Sequence, residues 1–376
     1  MALAYEAFFP RNPGLPDIHS NTLPPLDPPN SNRPRYYYST MMQNPTYDTL
    51  YGKLWKTYGS LPNNPDHNVK RPLGAAYDEI MEHWIIADSG NNCIRFYTEN
   101  SIVGDAAFGS LTNPSAVAVC VPGQTVAVLD DVGIRVYDYR NESFFTAAKD
   151  EGKRGKFDCR GLGCTTQGDL VTIQRTFNGG KINIYSSNQQ NHLLRTFPYF
   201  APTAPHGGQS RGPNPCFLDV GGDRIIVTDL GVNAFTVFDF DANQLNIRLR
   251  VQKECYGRHE GQFQFISGAR FDAKGDILIA DAGSERLQYF DDFGRFKHCV
   301  QFSDGFAYAS GIAVNSHNEL MVCDRKRSEC KVYKLSGKPA SEQRSGSSSS
   351  GYSGGAFRGG GGRGNRGGGG SRPYRR

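Results

Sequence analysis

The stretch Gly257–Phe302, GRHEGQFQFISGARFDAKGDILIADAGSERLQYFDDFGRFKHCVQF, reads as four short strands joined by tight turns. Gly268–Phe271 opens the first strand, and Asp272-Ala-Lys-Gly275 turns the chain. Asp276–Ala280 follows as an apolar run with isoleucines, and Asp281-Ala-Gly-Ser284 turns the chain again. Leu287–Phe290 alternates, Asp291-Asp-Phe-Gly294 makes the third turn, and Lys297–Gln301 closes the unit. Aspartate and glycine at each turn supply local hydrogen bonds and a permissive backbone. Short strands punctuated every 8–12 residues or so predict an all-β sandwich, barrel or propeller.

A repeat decides among these. The core I-L-I-A-D-x-G-x-x-R-L-Q-Y-F recurs as Trp84–Asp88 leading to Ile94–Tyr97, and as Val126–Asp130 leading to Ile134–Tyr137. A degenerate copy runs Leu170–Gln174 to Ile182–Tyr185, with two extra turn residues. Further copies are Ile226–Asp229 to Phe235–Phe238, the opening stretch itself, and Met321–Asp324 to Cys330–Tyr333. The anchor positions 88, 130, 174, 229, 281 and 324 lie 42, 44, 55, 52 and 43 residues apart. Four strands per period of about 40–50 residues predict propeller blades, and six copies predict a six-bladed β-propeller. Its last blade runs out after three strands. Lys53–Tyr58, ahead of the first copy, is expected to supply the fourth and close the ring, because an open ring leaves strand edges exposed.

The repeat resembles the NHL family, through Gly257-x-x-x-Gly261-Gln-Phe263, Gly268-Ala-Arg-Phe-Asp272 and Gly275-Asp-Ile-Leu-Ile-Ala-Asp281-x-Gly-x-x-Arg286-Leu-Gln-Tyr-Phe-Asp291. The resemblance covers most of the chain, with the second to fourth copies drifting from the pattern. It implies a six-bladed propeller with one face that binds single-stranded or hairpin RNA in some members and protein in others. The RING, B-box and coiled coil that accompany the domain in its TRIM-type relatives have no counterpart here, so no ubiquitin-ligase activity is expected.

Composition divides the chain into three parts. Residues 1–52 are rich in Pro, Asn and Tyr without strand or helix period and are expected to be disordered. Residues 53–336 form the propeller. Residues 337–376 form a Gly/Ser/Arg tail, also expected to be disordered, in which Arg358, Arg363 and Arg366 head RGG-type units interleaved with Tyr352, Phe357 and Tyr374. From Lys338 onward eight basic residues face Glu342, a net of +7 against +5 for the whole chain, so the body nets about −2. Electrostatic affinity for nucleic acid is therefore assigned to the tail, and methylation of its arginines by an arginine methyltransferase is a further expectation.

The nine cysteines are odd in number and lack a C-x-x-C pair, which suits reduced thiols. Neither a signal peptide nor a long apolar span is read, so the expected location is the cytoplasm, ribonucleoprotein granules included, with the nucleus left open. No metal, cofactor, small-molecule substrate or catalytic residue is expected. First-strand segments near Ala75, Ala116, Gly163, Leu218, Ala269 and Ile312 should line the axial channel, and they are small or apolar without a histidine cluster.

In an up-and-down blade, the turn between the second and third strands shares a face with the linker into the next blade. That places Arg71, Asn113, Arg160, Asn214, Phe265 and Tyr308 from the linkers on one face with Asn92, Arg175, Asn233, Arg286, Arg325 and Lys326 from the turns. Guanidinium, amide and aromatic groups hold phosphates, read base edges and stack unpaired bases. Turns are polar in any protein, and the arginine of the Arg286 type can instead pair with the anchor aspartate. The expected function is non-catalytic RNA binding in post-transcriptional control. The alternative is a scaffold whose propeller binds a protein while the tail alone touches RNA.

Overall fold

The computed structural model describes residues 50–59, 68–99, 102–106 (backbone only), 111–149, 157, 159–202 and 212–337. The chain divides at Pro339/Ala340, and all described residues belong to the first part. Strand β1 (Leu50–Tyr58) comes first. Four antiparallel sheets follow in chain order. The first holds β2 (Pro72–Asp78), β3 (His83–Asp88), β4 (Cys93–Tyr97) and β5 (Ile102–Ala106). The second holds β6 (Ala116–Val121), β7 (Thr125–Leu129), β8 (Gly133–Asp138) and β9 (Ser143–Lys149). The third holds β10 (Cys159–Cys164), β11 (Leu170–Thr176), β12 (Gly179–Tyr185) and β13 (Leu193–Phe200). The fourth holds β14 (Pro215–Gly221), β15 (Arg224–Asp229), β16 (Ala234–Asp241) and β17 (Asn246–Glu254).

The remaining strands are β18 (Ile266–Phe271), β19 (Ile277–Asp281), β20 (Arg286–Phe290), β21 (Phe296–Phe302), β22 (Ala309–Val314), β23 (Glu319–Asp324) and β24 (Glu329–Ser336). With β1 they form one eight-stranded sheet in the order β18-β19-β20-β21-β1-β24-β23-β22. Its end strands β18 and β22 pack against each other, so the sheet folds back on itself and nearly closes. The expected six-bladed NHL architecture of separate four-stranded blades is thereby corrected to four separate blades and one continuous eight-stranded sheet.

The physical reason is the start of β1. This strand pairs antiparallel with β24 from Tyr51 to Tyr58, and its first three residues also pair in parallel with Val300–Phe302 of β21. Reading the strand as beginning at Lys53 omitted Leu50, Tyr51 and Gly52, the residues that make this second ladder. Gly52 permits the approach, since a Cβ there would lie 2.7 Å from the Phe302 ring.

Burial follows position in each sheet. The second strands are mostly buried, and His83–Asp88 and Ile277–Asp281 throughout, because neighbouring sheets cover both faces. Outer strands such as β17 alternate between exposed and half-buried residues. Apolar side chains fill the spaces between sheets, as where Ile85, Ile94 and Phe96 meet Val117, Val126 and Tyr137. The first strands β2, β6, β10, β14, β18 and β22 pack side by side around one axis. Glycine makes that packing possible, as at Gly161 (φ 54°), where a Cβ would lie 2.5 Å from the backbone nitrogen of Leu218.

Candidate nucleic-acid interface

The face on which linkers and second-to-third-strand turns meet is built on buried aspartates. Asp88 Oδ1 accepts from the Lys70 backbone N–H at 2.8 Å, and Asp130 Oδ2 from Thr112 at 2.9 Å. Asp229 Oδ1 accepts from Asn214 at 2.8 Å, Asp281 Oδ1 from Phe265 at 3.0 Å, and Asp324 Oδ2 from Ala307 at 2.6 Å. Each side chain also caps its own turn or meets a group within it, as in Asp130 Oδ1 to Val132 N at 2.9 Å and Asp324 Oδ1 to Lys326 N at 3.0 Å. One buried carboxylate thus ties the incoming linker to the turn that faces it. Burial pushes the Asp229 carboxyl up, while the backbone N–H groups of Asn214, Gly231 and Val232 oppose that shift.

Several residues expected to bind RNA take part in this scaffold. Arg286 Nε lies 3.5 Å from Asp281, and its Nη2 donates to the His259 and Gln262 carbonyls at 2.7 and 2.9 Å. Asn92 and Asn233 sit in the left-handed region (φ 55° and 50°), which asparagine tolerates at tight turns. Their side chains reach into the next sheet. Asn92 Oδ1 accepts from Asn113 N at 2.9 Å, and Asn233 Oδ1 accepts from Ile266 N at 3.0 Å. Ser328 (φ 55°) does the same across the chain's closure, accepting from Arg71 N at 3.2 Å. Asn113 Nδ2 donates to Asp131 at 3.0 Å. These amides and hydroxyls staple adjacent sheets together.

The remaining groups gather at the mouth of the axial channel. The Phe265 and Tyr308 rings lie 5.7 Å apart, and Arg325 N donates to the Tyr308 carbonyl at 3.1 Å. Burial pushes the Tyr308 hydroxyl up, the Arg325 guanidinium opposes this, and Cys216 adds to it from across the mouth. Arg175 Nη1 donates to Asn214 Oδ1 at 3.2 Å, and the Cys216 thiol donates to the same oxygen at 3.5 Å. Burial raises that thiol to about 11, with Arg160 and Arg175 pulling the other way. Arg175, Asn214 and Cys216 therefore meet directly, as do Phe265, Tyr308 and Arg325. Arg71, Arg325 and Lys326 are exposed on the same face. Arg358, Arg363 and Arg366 lie outside the described residues.

The channel holds a residue that the sequence reading missed. A cavity of about 20 Å³, room for a water, is lined from all six axial strands, for example by Gly74, Ala116, Leu162, Leu218, Ala269 and Ile312. Arg270 crosses it. Its Nη1 donates to Asp219 Oδ1 at 2.9 Å, its Nε to the Ile312 carbonyl at 3.0 Å, and its Nη2 to the Ala75 carbonyl at 2.6 Å. Asp219 Oδ2 also accepts from Phe271 N at 2.9 Å. The signal was present in the Gly268-Ala-Arg-Phe-Asp272 run, read only as part of the repeat. Arg270 thus ties three other axial strands together across the channel.

Among the described residues no group of three or more His, Cys, Asp or Glu side chains is placed to hold a metal ion. The fully buried Cys323 and Cys330 thiols are 3.2 Å apart. On the opposite face, burial and the neighbouring Asp276 raise the Asp272 carboxyl to about 6. Among the described residues no helix is long and apolar enough to cross a membrane.

No family model matches the chain. A 75-residue segment, 19% of the chain, is 35% identical to Protein brain tumor of Drosophila melanogaster, and it spans only 7% of that protein's length. Among solved structures, a calcium-binding protein, regucalcin, from Agrobacterium tumefaciens superposes with a TM-score of 0.52 at 14% identity, covering 75% of this chain and 95% of the other. The β-propeller domain of Cps50 (Swd1) from Myceliophteria thermophila gives 0.50 at 10% identity, covering 70% and 83%. At these identities the likeness is one of fold, an all-β propeller-like architecture. The weak, partial matches and the sheet count together overturn the NHL assignment.

Proposed function

We propose that this chain binds single-stranded RNA without catalysis, through the face at the mouth of the axial channel. The observation that carries the reading is the meeting of residues far apart in sequence, Arg175 with Asn214 and Phe265 with Tyr308 and Arg325, on the face beside a channel that Arg270 closes. Guanidinium groups next to a pair of rings suit phosphates flanking a stacked base. Because Asn92, Asn113 and Asn233 hold the sheets together, base preference falls to the rings, with Arg160, Arg175 and Arg325 left for phosphates. Tyr308→Ala is expected to weaken binding of single-stranded oligonucleotides by about 1–3 kcal/mol if a base stacks there. Titration of fluorescein-labelled oligouridylate and oligoadenylate measures this. Unchanged affinity for both would transfer the face to a protein partner.

The Gly/Ser/Arg tail adds charge to this reading. Removing residues 345–376 takes away six arginines and none of the described strands, the last of which ends at Ser336. The slope of log affinity against log salt is expected to flatten by about 0.7 for each phosphate that the tail no longer neutralises. A slope that stays the same between 50 and 200 mM salt, roughly the range over which phosphate binding weakens, assigns the tail no part in binding.

A further inference from the structure

The third sheet departs from the others at the candidate face. In the other four-stranded sheets and in both halves of the eight-stranded one, the ladder between second and third strands ends at or just before the anchor aspartate. Asp88 pairs with Cys93, Leu129 with Ile134, Asp229 with Ala234, Asp281 with Arg286 and Asp324 with Glu329. In the third sheet the anchor position is Gln174, and pairing continues through Arg175↔Gly180 to Thr176↔Gly179. Two further residues lengthen the hairpin by about 7 Å. Gly179 (φ 147°) allows the tight approach to β13, as a Cβ there would lie 2.3 Å from the Tyr199 carbonyl oxygen.

The tip of this hairpin is Phe177, 95% exposed, the most exposed large apolar side chain among the described residues. Phe200, paired with Gly179 on β13, is 73% exposed. Gln174–Lys181 carries Arg175 and Lys181 and no acidic residue. Arg175 also links the hairpin to Asn214 of the mouth cluster. An aromatic ring held in water at the end of a rigid ladder, with one cation on each face of the ladder behind it, matches an unpaired base whose neighbouring phosphates meet those cations.

We infer that the β11–β12 hairpin is a stacking finger, with Phe177 taking an unpaired base of the single-stranded RNA and Arg175 and Lys181 its flanking phosphates. The inference rests on the RNA reading above and extends the bound strand beyond the channel mouth. In the full-length chain, Phe177→Ala is expected to weaken oligouridylate binding about 5- to 140-fold while leaving the salt slope unchanged, since stacking releases no counterion. Phe177→Trp should retain affinity, and its indole emission should quench on RNA addition. Because Phe177 is exposed, neither variant should shift the thermal midpoint. Wild-type binding matched by Phe177→Ala, with no quenching in Phe177→Trp, overturns the finger and leaves the RNA reading standing, Phe177 and Phe200 then being a protein-docking edge. A wild-type chain that binds no single-stranded RNA at all overturns both.

Discussion

Arg270→Met is expected to lower the unfolding free energy by about 3–5 kcal/mol, the usual effect of removing one partner from a buried ion pair. Both side chains are largely shielded, at 17% exposure for Arg270 and 15% for Asp219. Without the guanidinium, the Asp219 carboxylate keeps only the Phe271 N–H, and the Ala75 and Ile312 carbonyls are each left short of a donor. Those partners sit on β2, β14 and β22, so one side chain from β18 pins the axis across three other strands. Arg270→Lys should recover only part of the stability, because a single ammonium cannot span three acceptors arranged for a planar fork. The Arg270→Met/Asp219→Asn double variant should be more stable than Arg270→Met alone, since it leaves no unpaired buried charge. Urea midpoints at constant m-value measure all three. A decrease below about 1 kcal/mol for Arg270→Met, within the range of exposed pairs, would show that the axis does not depend on the pin.

The repeat was legible because its physics is local. An apolar run ending in aspartate marks a strand buried on both faces and a carboxylate that must find N–H groups, and five of the six anchors do so at the linker. Strand content and the face that gathers the linkers followed from that pattern. What escaped reading depended on distant segments meeting in the fold. Gly52 had no visible partner until β21 arrived beside it, and the sheet count turned on those three residues. Arg270 stood within a familiar run, and only closure around the axis brings Ala75, Asp219 and Ile312 to it. Asn92 and Asn233 were read as base-contacting amides. Their left-handed backbone, a conformation in which asparagine is enriched, was the available hint that they serve the turns. The extra residues after Gln174 were visible as an insertion, but their exposure was not.

Deleting residues 1–60 is expected to prevent soluble folding, whereas deleting 1–45 should leave stability unchanged. The longer deletion removes β1, the strand that joins the first part of the described chain to its last. Ladder hydrogen bonds contribute about 1 kcal/mol net each, and burying Tyr58 against Tyr97 adds about 1.5–3 kcal/mol. Losing several such bonds together with that ring removes an amount comparable with the whole 5–15 kcal/mol or so that holds a typical domain folded. It also uncovers the edges of both β24 and β21, which invites pairing between chains. Gly52→Val separates the two ladders of β1. Its branched side chain would meet the Phe302 ring that now lies against the glycine, so the parallel ladder to β21 should open while the antiparallel ladder to β24 persists. Overpacking of this kind costs about 1–3 kcal/mol. Hydrogen exchange distinguishes the outcomes: faster exchange in Leu50–Gly52 and Val300–Phe302, with Lys53–Tyr58 still protected, is expected for Gly52→Val. Equal solubility and melting of the two deletions would show that β1 closes nothing, and the remaining seven strands of its sheet would then have to hold together without it.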